Sequence, residues 1–168
     1  MNKNVEFYEK NLERVNYWLQ FAEAKNAAVI AFIVAILAVI YSGDVIGNAW
    51  FNIILTVIYV ISLVASLISF FPQYKKDVNV SAGQYKTEDN ILFWNDIAKY
   101  SIEDYINKVN VVNANENNTN ASEIERTYVE EIITNARIAQ FKYSMFKFAV
   151  KIAIGGTVLF PLFMIIVA

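Results

Sequence analysis

Three long apolar blocks dominate the pattern of hydrophobic and polar positions along the chain. The first, residues 26–43, is 18 residues long and carries no charge. As a helix it would measure about 27 Å, just enough for a bilayer core of about 30 Å. The last block follows Lys151, but Lys147 and Lys151 can extend their ammonium groups to the interface and leave Phe148 within the span. We therefore predict three transmembrane helices, at 26–43, 49–71 and 148–168.

A different pattern covers residues 1–25, which precede the first span. Apolar residues recur there at intervals of three and four, the spacing that lines one face of a helix, while charged residues occupy other faces. We therefore predict an amphipathic helix that begins near residue 5 and runs directly into the first span. Its apolar positions are Val5, Tyr8, Leu12, Val15, Leu19 and Ala22.

Helix-start signals divide the region between the second and third spans, residues 72–147. Ser122 with Glu125 three positions later forms a capping box. It predicts a long helix that begins near residue 123 and continues into the third span. The predicted fold is therefore an all-α membrane protein with three transmembrane helices and a cytoplasmic helical extension.

Two further helices are predicted in the same region. Thr87 precedes two acidic residues and predicts a helix that runs through residues 91–100. Ser101, also followed by acidic residues, predicts a second helix to about Val112. The asparagine-rich stretch 110–120 has no regular pattern and is interpreted as a flexible loop.

Small residues form a stripe along each predicted span. Spacings of three and four place the members of a stripe on one helix face, where they allow close approach of helix backbones in lipid. Packing within the three-helix bundle is the main interpretation, and lining a pore between several copies is the alternative. The stripes are Ala27, Ala31, Ala35 and Ala38; Ser62, Ser66 and Ser69; and Ala149, Ala153 and Gly156.

Composition agrees with a membrane protein and narrows its chemistry. Hydrophobic residues make up 57% of the chain and charged residues 18%, compared with about half and a quarter in soluble domains. Cysteine and histidine are absent, which excludes a thiolate nucleophile, a Cys/His zinc site and a histidine base. No phosphate-binding or nucleophile-elbow motif occurs. The sequence therefore predicts a protein that is not an enzyme, with no catalytic residues, no metal and no cofactor.

The charges predict an orientation in the membrane. Of the 14 basic residues, four lie in residues 1–25 and ten in 72–151. The positive-inside rule then places the N-terminus and 72–151 in the cytoplasm. The residues expected at the membrane interface are Glu23, Lys25, Lys147 and Lys151.

Three short stretches point to a known family. Residues 21–27 read Phe-Ala-Glu-Ala-Lys-Asn-Ala, and residues 93–98 read Phe-Trp-Asn-Asp-Ile-Ala, ahead of a Tyr-Ile pair at 105–106. Residues 135–143, before the last span, read Asn-Ala-Arg-Ile-Ala-Gln-Phe-Lys-Tyr. In this order, the stretches resemble the Pycsar transmembrane effector family, a bacterial antiphage group, over nearly the whole chain. Glu23 stands where the family has aspartate.

The resemblance implies a function. A companion cyclase makes a cyclic pyrimidine mononucleotide, cCMP or cUMP, upon phage infection. The effector senses this ligand and impairs the integrity of the bacterial inner membrane, which causes abortive infection. The implied partners are the lipid bilayer, the cyclic nucleotide and further copies of the chain in a homo-oligomer, with no nucleic acid. The localisation is the inner (plasma) membrane, multi-pass, with the N-terminus cytoplasmic.

Binding such a ligand requires a cation for the phosphate and an aromatic face or amides for the base. The predicted phosphate ligands are Arg126, Arg137 and Lys142, and the predicted base contacts are Trp94, Asn95, Tyr100 and Tyr128. The alternative for Arg137 and Lys142 is that they anchor the long helix near the lipid phosphates.

Two other functions fit the residues. A structural or scaffolding membrane protein would dock a cytoplasmic partner through residues 72–151. A small constitutive channel would leak without any ligand.

Overall fold

The computed structural model describes residues 3–42, 49–71, 85–113 and 121–167, and they form an all-α fold. Three helices are long and apolar enough to cross a membrane, namely the first, the second and the last. The predicted fold class is therefore confirmed. The helices are α1 (Lys3–Ser42), α2 (Ala49–Ile68), α3 (Trp94–Ile97), α4 (Ile102–Val112) and α5 (Glu123–Val167).

The chain divides into two compact units. The helical unit comprises Met1–Phe21 and Pro72–Phe141, and the spanning unit comprises Ala22–Phe71 and Lys142–Ala168. Helices α1 and α5 each begin in the helical unit and continue without a break into the spanning unit.

The start of α5 is the capping box that the sequence predicts. The backbone N–H of Ser122 donates to Glu125 Oε2 at 2.7 Å, and the Glu125 N–H donates to Ser122 Oγ at 3.4 Å. These two bonds satisfy donors that a helix start otherwise leaves without partners. The long helix therefore begins where its local sequence specifies, and it continues through Pro161.

Helix α4 also begins as predicted. The Ser101 side chain accepts a hydrogen bond from the backbone N–H of Asp104 at 3.1 Å, and the helix ends at Val112. Most of the predicted asparagine-rich loop, residues 114–120, lies outside the described residues.

The prediction of a helix through residues 91–100 is wrong, because only the single turn of α3 forms there. Side chains ahead of α3 bind nearby backbone N–H groups, and the N–H of Leu92 is one that the predicted helix would use for its own hydrogen bonds. The N–H of Leu92 donates to Asn90 Oδ1 at 2.9 Å, and the N–H of Lys86 donates to Asp89 Oδ2 at 2.7 Å. Asparagine and aspartate compete with helical hydrogen bonding in this way, so residues 87–92 form turns instead.

The core of the helical unit contains both apolar and polar side chains. Tyr8 and Val15 on α1 pack in one buried cluster with residues from α4 and α5. A hydrogen-bonded group lies beside them, in which Tyr105 Oη donates to the Ile91 carbonyl at 2.7 Å and Asn11 Nδ2 donates to the same carbonyl at 3.1 Å. Buried polar groups that are paired in this way favour one helix register over its neighbours.

Packing in the spanning unit follows two of the three small-residue stripes. The serines of α2 are buried, as are Ala149, Ala153 and Gly156 of α5. Ser62 Oγ donates to the Ala149 carbonyl at 2.7 Å, which fixes the close approach of these two helices.

The first stripe does not pack within the bundle, and that part of the prediction is wrong for the single chain. Ala27, Ala31, Ala35 and Ala38 are all exposed. Helix α1 instead buries larger side chains, including Ile33 and Ile40. Burial of a branched side chain removes more apolar area than burial of alanine, and it determines which face of α1 turns inward.

Candidate functional site

The three predicted phosphate ligands lie in different surroundings. Arg126 is near the start of α5 and pairs with Glu103 of α4, with Nη1 3.2 Å from Oε1. Both side chains are more than half exposed, at 53% and 63%. An exposed pair of this kind contributes little to stability and is screened by salt. The guanidinium of Arg126 is therefore accessible to an anion from solvent.

Arg137 has a more enclosed position on α5. Its Nε donates to the Ala98 carbonyl at 3.1 Å, and its Nη2 donates to the Tyr100 carbonyl at 3.0 Å. Partial burial lowers the pKa of Arg137 from its ordinary value. The side chain thus holds the segment between α3 and α4 against α5, which is a structural task.

Lys142 belongs to the spanning unit and is buried. Its Nζ donates to the Ser69 carbonyl beyond the end of α2 at 2.6 Å and lies 3.1 Å from Glu23 Oε1 on α1. The Lys142 carbonyl accepts a hydrogen bond from Asn26 Nδ2 at 3.3 Å. The ammonium therefore joins three chain segments at one end of the spanning unit, and Glu23 is part of this polar cluster.

The base candidates differ in how accessible they are. Tyr100 is completely buried, and burial raises the pKa of its phenol. Trp94 and Tyr128 are half-buried against the core of the helical unit. Asn95 Oδ1 accepts a hydrogen bond from Gln140 Nε2 of α5 at 3.2 Å. These four side chains contribute first to packing. Tyr100 has no exposed edge, so only the exposed edges of Trp94, Asn95 and Tyr128 can meet a ligand.

Tyr85, which is not among the candidates predicted from the sequence, has a ring that is more accessible to a ligand base. The ring of Tyr85 stacks on Tyr100, with centroids 4.7 Å apart and an interplanar angle of 22°. Tyr85 is 44% exposed, and its Oη donates to Asp104 Oδ1 at 3.3 Å. Nothing in the pattern around Tyr85 distinguishes it, because its role depends on packing against a residue 15 positions away.

Within the helical unit, the two candidate arginines lie in different places. Arg137, Asn95 and Tyr100 meet along the segment around α3, whereas Arg126 lies beside α4. Arg126 and Arg137 are 11 positions apart on α5, about 17 Å along the helix axis. Lys142 belongs to the other compact unit.

Lys99 and two aspartates form a further charged group near α3. Lys99 Nζ lies 2.6 Å from Asp96 Oδ1 and 3.0 Å from Asp89 Oδ1. These bonds raise the pKa of Lys99, and the backbone N–H of Lys86, followed by Lys99, lowers the pKa of Asp89. The three side chains carry a net charge of −1, and their ion pairs fix the turns around α3.

The remaining interface candidates are Lys25 on α1 and Lys147 and Lys151 on α5. Lys25 Nζ is 5.4 Å from the ring centroids of both Tyr143 and Phe146, within the range of a cation–π contact. Lys147 and Lys151 are exposed.

Apolar side chains cover the surface of the three long helices. Trp50 is 77% exposed and Ile165 is 75% exposed, and no more than 33% of each apolar window is buried inside the structure. A continuous exposed apolar surface of this length is stable in lipid and not in water. These observations define the class: an all-α membrane protein with three helices that can span the bilayer and a separate helical unit.

The particular family follows from comparison with known proteins. The Pycsar effector protein domain matches residues 7–168, so the chain belongs to the Pycsar effector family. This confirms the resemblance found in the sequence and identifies a membrane protein of antiviral defence. Searches among curated proteins and among solved structures gave no match.

Proposed function

We propose that this protein is the membrane effector of a bacterial antiphage signalling system, located in the inner membrane. It responds to a cyclic pyrimidine mononucleotide, cCMP or cUMP, by impairing membrane integrity and thereby causing abortive infection. The observation that carries this proposal is the family match, which extends over both the helical unit and the spanning unit.

The continuity of α1 and α5 supports a mechanism based on helix rearrangement. Both helices contribute buried residues to the core of the helical unit, including Tyr8 from α1 and Ile132 from α5. Both then continue into the spanning unit. A ligand that binds one packing of the helical unit more tightly than another would favour that packing. Because α1 and α5 also cross the membrane, the same change would act on the spanning helices, and its size is set by the difference in the ligand's affinity for the two packings.

Association of several copies is part of the proposal. The exposed stripe of Ala27, Ala31, Ala35 and Ala38 would allow a helix of a second copy to approach α1 closely in lipid. Ligand-dependent rearrangement of such an assembly would open or distort the bilayer.

Arg126 is the proposed phosphate ligand. Its ion pair with Glu103 is exposed, so a phosphate can replace that carboxylate at little cost. Tyr85, which offers a partly exposed ring for the base, is bonded to the neighbouring residue of α4, Asp104. Arg137 and Lys142 are weaker choices, because a phosphate would have to displace backbone carbonyls from each of them.

The test is titration calorimetry of the full-length protein, in detergent or nanodiscs, with cCMP, cUMP and cAMP. We expect binding of a pyrimidine ligand, weakened about tenfold or more in Arg126→Gln through loss of a charge-assisted hydrogen bond. Lys10→Gln is the matched control, because Lys10 forms a comparable exposed pair with Glu6 at 2.6 Å. Equal affinity of Arg126→Gln and the wild type would reject the assignment of Arg126.

Dye release from liposomes that contain the purified protein tests the effect on the membrane. We expect release only after addition of the cyclic nucleotide. Release that is equally fast without a nucleotide would identify a constitutive channel instead. The absence of both binding and release with every cyclic nucleotide would contradict the effector mechanism and favour a scaffold that binds a protein partner.

A further inference from the structure

A groove lies between α1 and α5 within the spanning unit, on the surface that faces lipid. Its volume is about 470 Å³. Apart from Lys25 and Thr157, its lining consists entirely of apolar side chains, among them Ala28, Phe32 and Val158. A groove with this lining matches a hydrocarbon chain rather than a polar ligand.

The length of the groove matches one leaflet of a bilayer. On α5 the lining runs from Phe146 to Val158, which are 12 positions apart, or about 18 Å along the axis. Half of a bilayer hydrocarbon core is about 15 Å. An acyl chain from one leaflet would therefore fill the groove, whereas the helix of a second copy would extend along the full span.

Positive charge is concentrated at one end of the groove. Lys25 lines that end, and its Nζ is held 5.4 Å from the ring centroids of Tyr143 and Phe146. Lys147 follows Phe146 in the sequence and is exposed. Two lysines at the level where headgroups lie would favour an anionic lipid.

We propose that this groove is a binding site for one anionic phospholipid. One acyl chain lies in the groove between α1 and α5, and the headgroup phosphate binds Lys25 and Lys147. The site is separate from the proposed cyclic-nucleotide site, which belongs to the helical unit, and it does not depend on the ligand response.

Native mass spectrometry of the full-length protein in detergent tests the headgroup contact. The probes are phosphatidylglycerol and phosphatidylcholine with identical acyl chains. We expect one phosphatidylglycerol to be retained in preference to phosphatidylcholine. Lys25→Gln should reduce this preference about fivefold, the effect of one lysine near an anionic headgroup. Lys151→Gln is the control, because Lys151 is also exposed on α5 but lies five positions, about 7.5 Å along the axis, beyond Phe146, whose ring Lys25 contacts.

A second pair of variants tests the position of the acyl chain. Ala28→Phe should fill the groove and abolish retention of both lipids. Val34→Phe places the same ring at another exposed position of α1, outside both the groove and the alanine stripe, and should leave retention unchanged. Circular dichroism of both variants checks that the helices are intact.

Three results would overturn the proposal. The first is equal retention of the two lipids by the wild type, and the second is an unchanged preference in Lys25→Gln. The third is rapid disulfide cross-linking of Phe32→Cys between copies in liposomes, which would show that a second chain covers the groove. The wild-type chain contains no cysteine, so any cross-link would come from position 32 alone.

Discussion

Two backbone carbonyls depend on the side chain of Arg137. The guanidinium binds the Ala98 and Tyr100 carbonyls, which follow α3 and have a fully buried neighbour in the Tyr100 ring. Arg137→Ala would remove two charge-assisted bonds and leave their acceptors without that partner. We expect the free energy of unfolding to fall by about 2 kcal/mol. Thermal denaturation of the purified protein, followed by circular dichroism, measures this loss.

Arg126→Ala is the control for that prediction, since it truncates an arginine on the same helix. Its exposed pair with Glu103 should contribute less than about 1 kcal/mol. If the two variants were equally stable, the structural task assigned to Arg137 would be wrong. If Arg137→Ala were stable but no longer bound the cyclic nucleotide, Arg137 would be a ligand residue, as the sequence analysis proposed.

Sequence reasoning at the residue scale succeeded where an interaction is local. The cap at Ser101 and the capping box at Ser122 each need only a partner three residues away, so a short pattern specifies them. The backbone carbonyls that Arg137 binds lie 37 and 39 positions away, and Ser69 and Glu23, which Lys142 binds, lie 73 and 119 positions away. No pattern in one sequence reveals such distant partners. The sequence therefore indicates which side chains have the right chemistry for a ligand, but not which of them are accessible and which are occupied by structural contacts.

Two adjacent glycines in α5 differ in their importance for helix packing. A Cβ atom added at Gly156 would lie 3.1 Å from Ile58 Cγ2 and 3.1 Å from Tyr59 Cζ, whereas one added at Gly155 would meet nothing within 4 Å. Gly156→Ala should therefore push α2 and α5 apart and strain the hydrogen bond between Tyr59 Oη and Thr157 Oγ1. We expect a loss of about 1–3 kcal/mol, the usual cost of overpacking, measured as a lower melting temperature in detergent.

Gly155→Ala provides a control one position away on the same helix. It adds the same methyl group in open space and should leave the melting temperature unchanged or slightly higher, because alanine is the better helix former. Equal destabilisation by the two substitutions would mean that the contact of Gly156 with α2 does not determine the effect.

The elements themselves were largely predictable from the apolar pattern, because a segment that crosses a membrane needs both length and a lack of charge. Helices α1 and α5 are continuous, as the sequence indicates. The exceptions have physical causes. Asn90 binds the backbone N–H of Leu92 in competition with a helical hydrogen bond, and α1 buries Ile33 in preference to its alanines. Which face of a helix turns inward depends on its neighbours, and the pattern within a single helix does not contain that information.

At the scale of the whole molecule, the basic residues are distributed on one side of the spans. Four lie in residues 1–25 and ten in 72–151, with none in the connection between α1 and α2. Basic residues next to a span resist translocation, so this asymmetry predicts that the helical unit is cytoplasmic and that the end of α1 faces the opposite side. The absence of cysteine allows this topology to be tested with single introduced thiols.

Ser42→Cys and Val112→Cys place a thiol at the end of α1 and at the end of α4, both at exposed positions. In spheroplasts treated with a membrane-impermeant maleimide, Ser42→Cys should react and Val112→Cys should react only after the membrane is permeabilised. A cyclic nucleotide made by a companion cyclase is produced in the cytoplasm, so the effector mechanism requires this orientation. The reverse labelling pattern would place the helical unit outside the cytoplasm and exclude a response to a cytoplasmic ligand. The expected pattern would place Arg126 and Tyr85 in the compartment where that ligand is made.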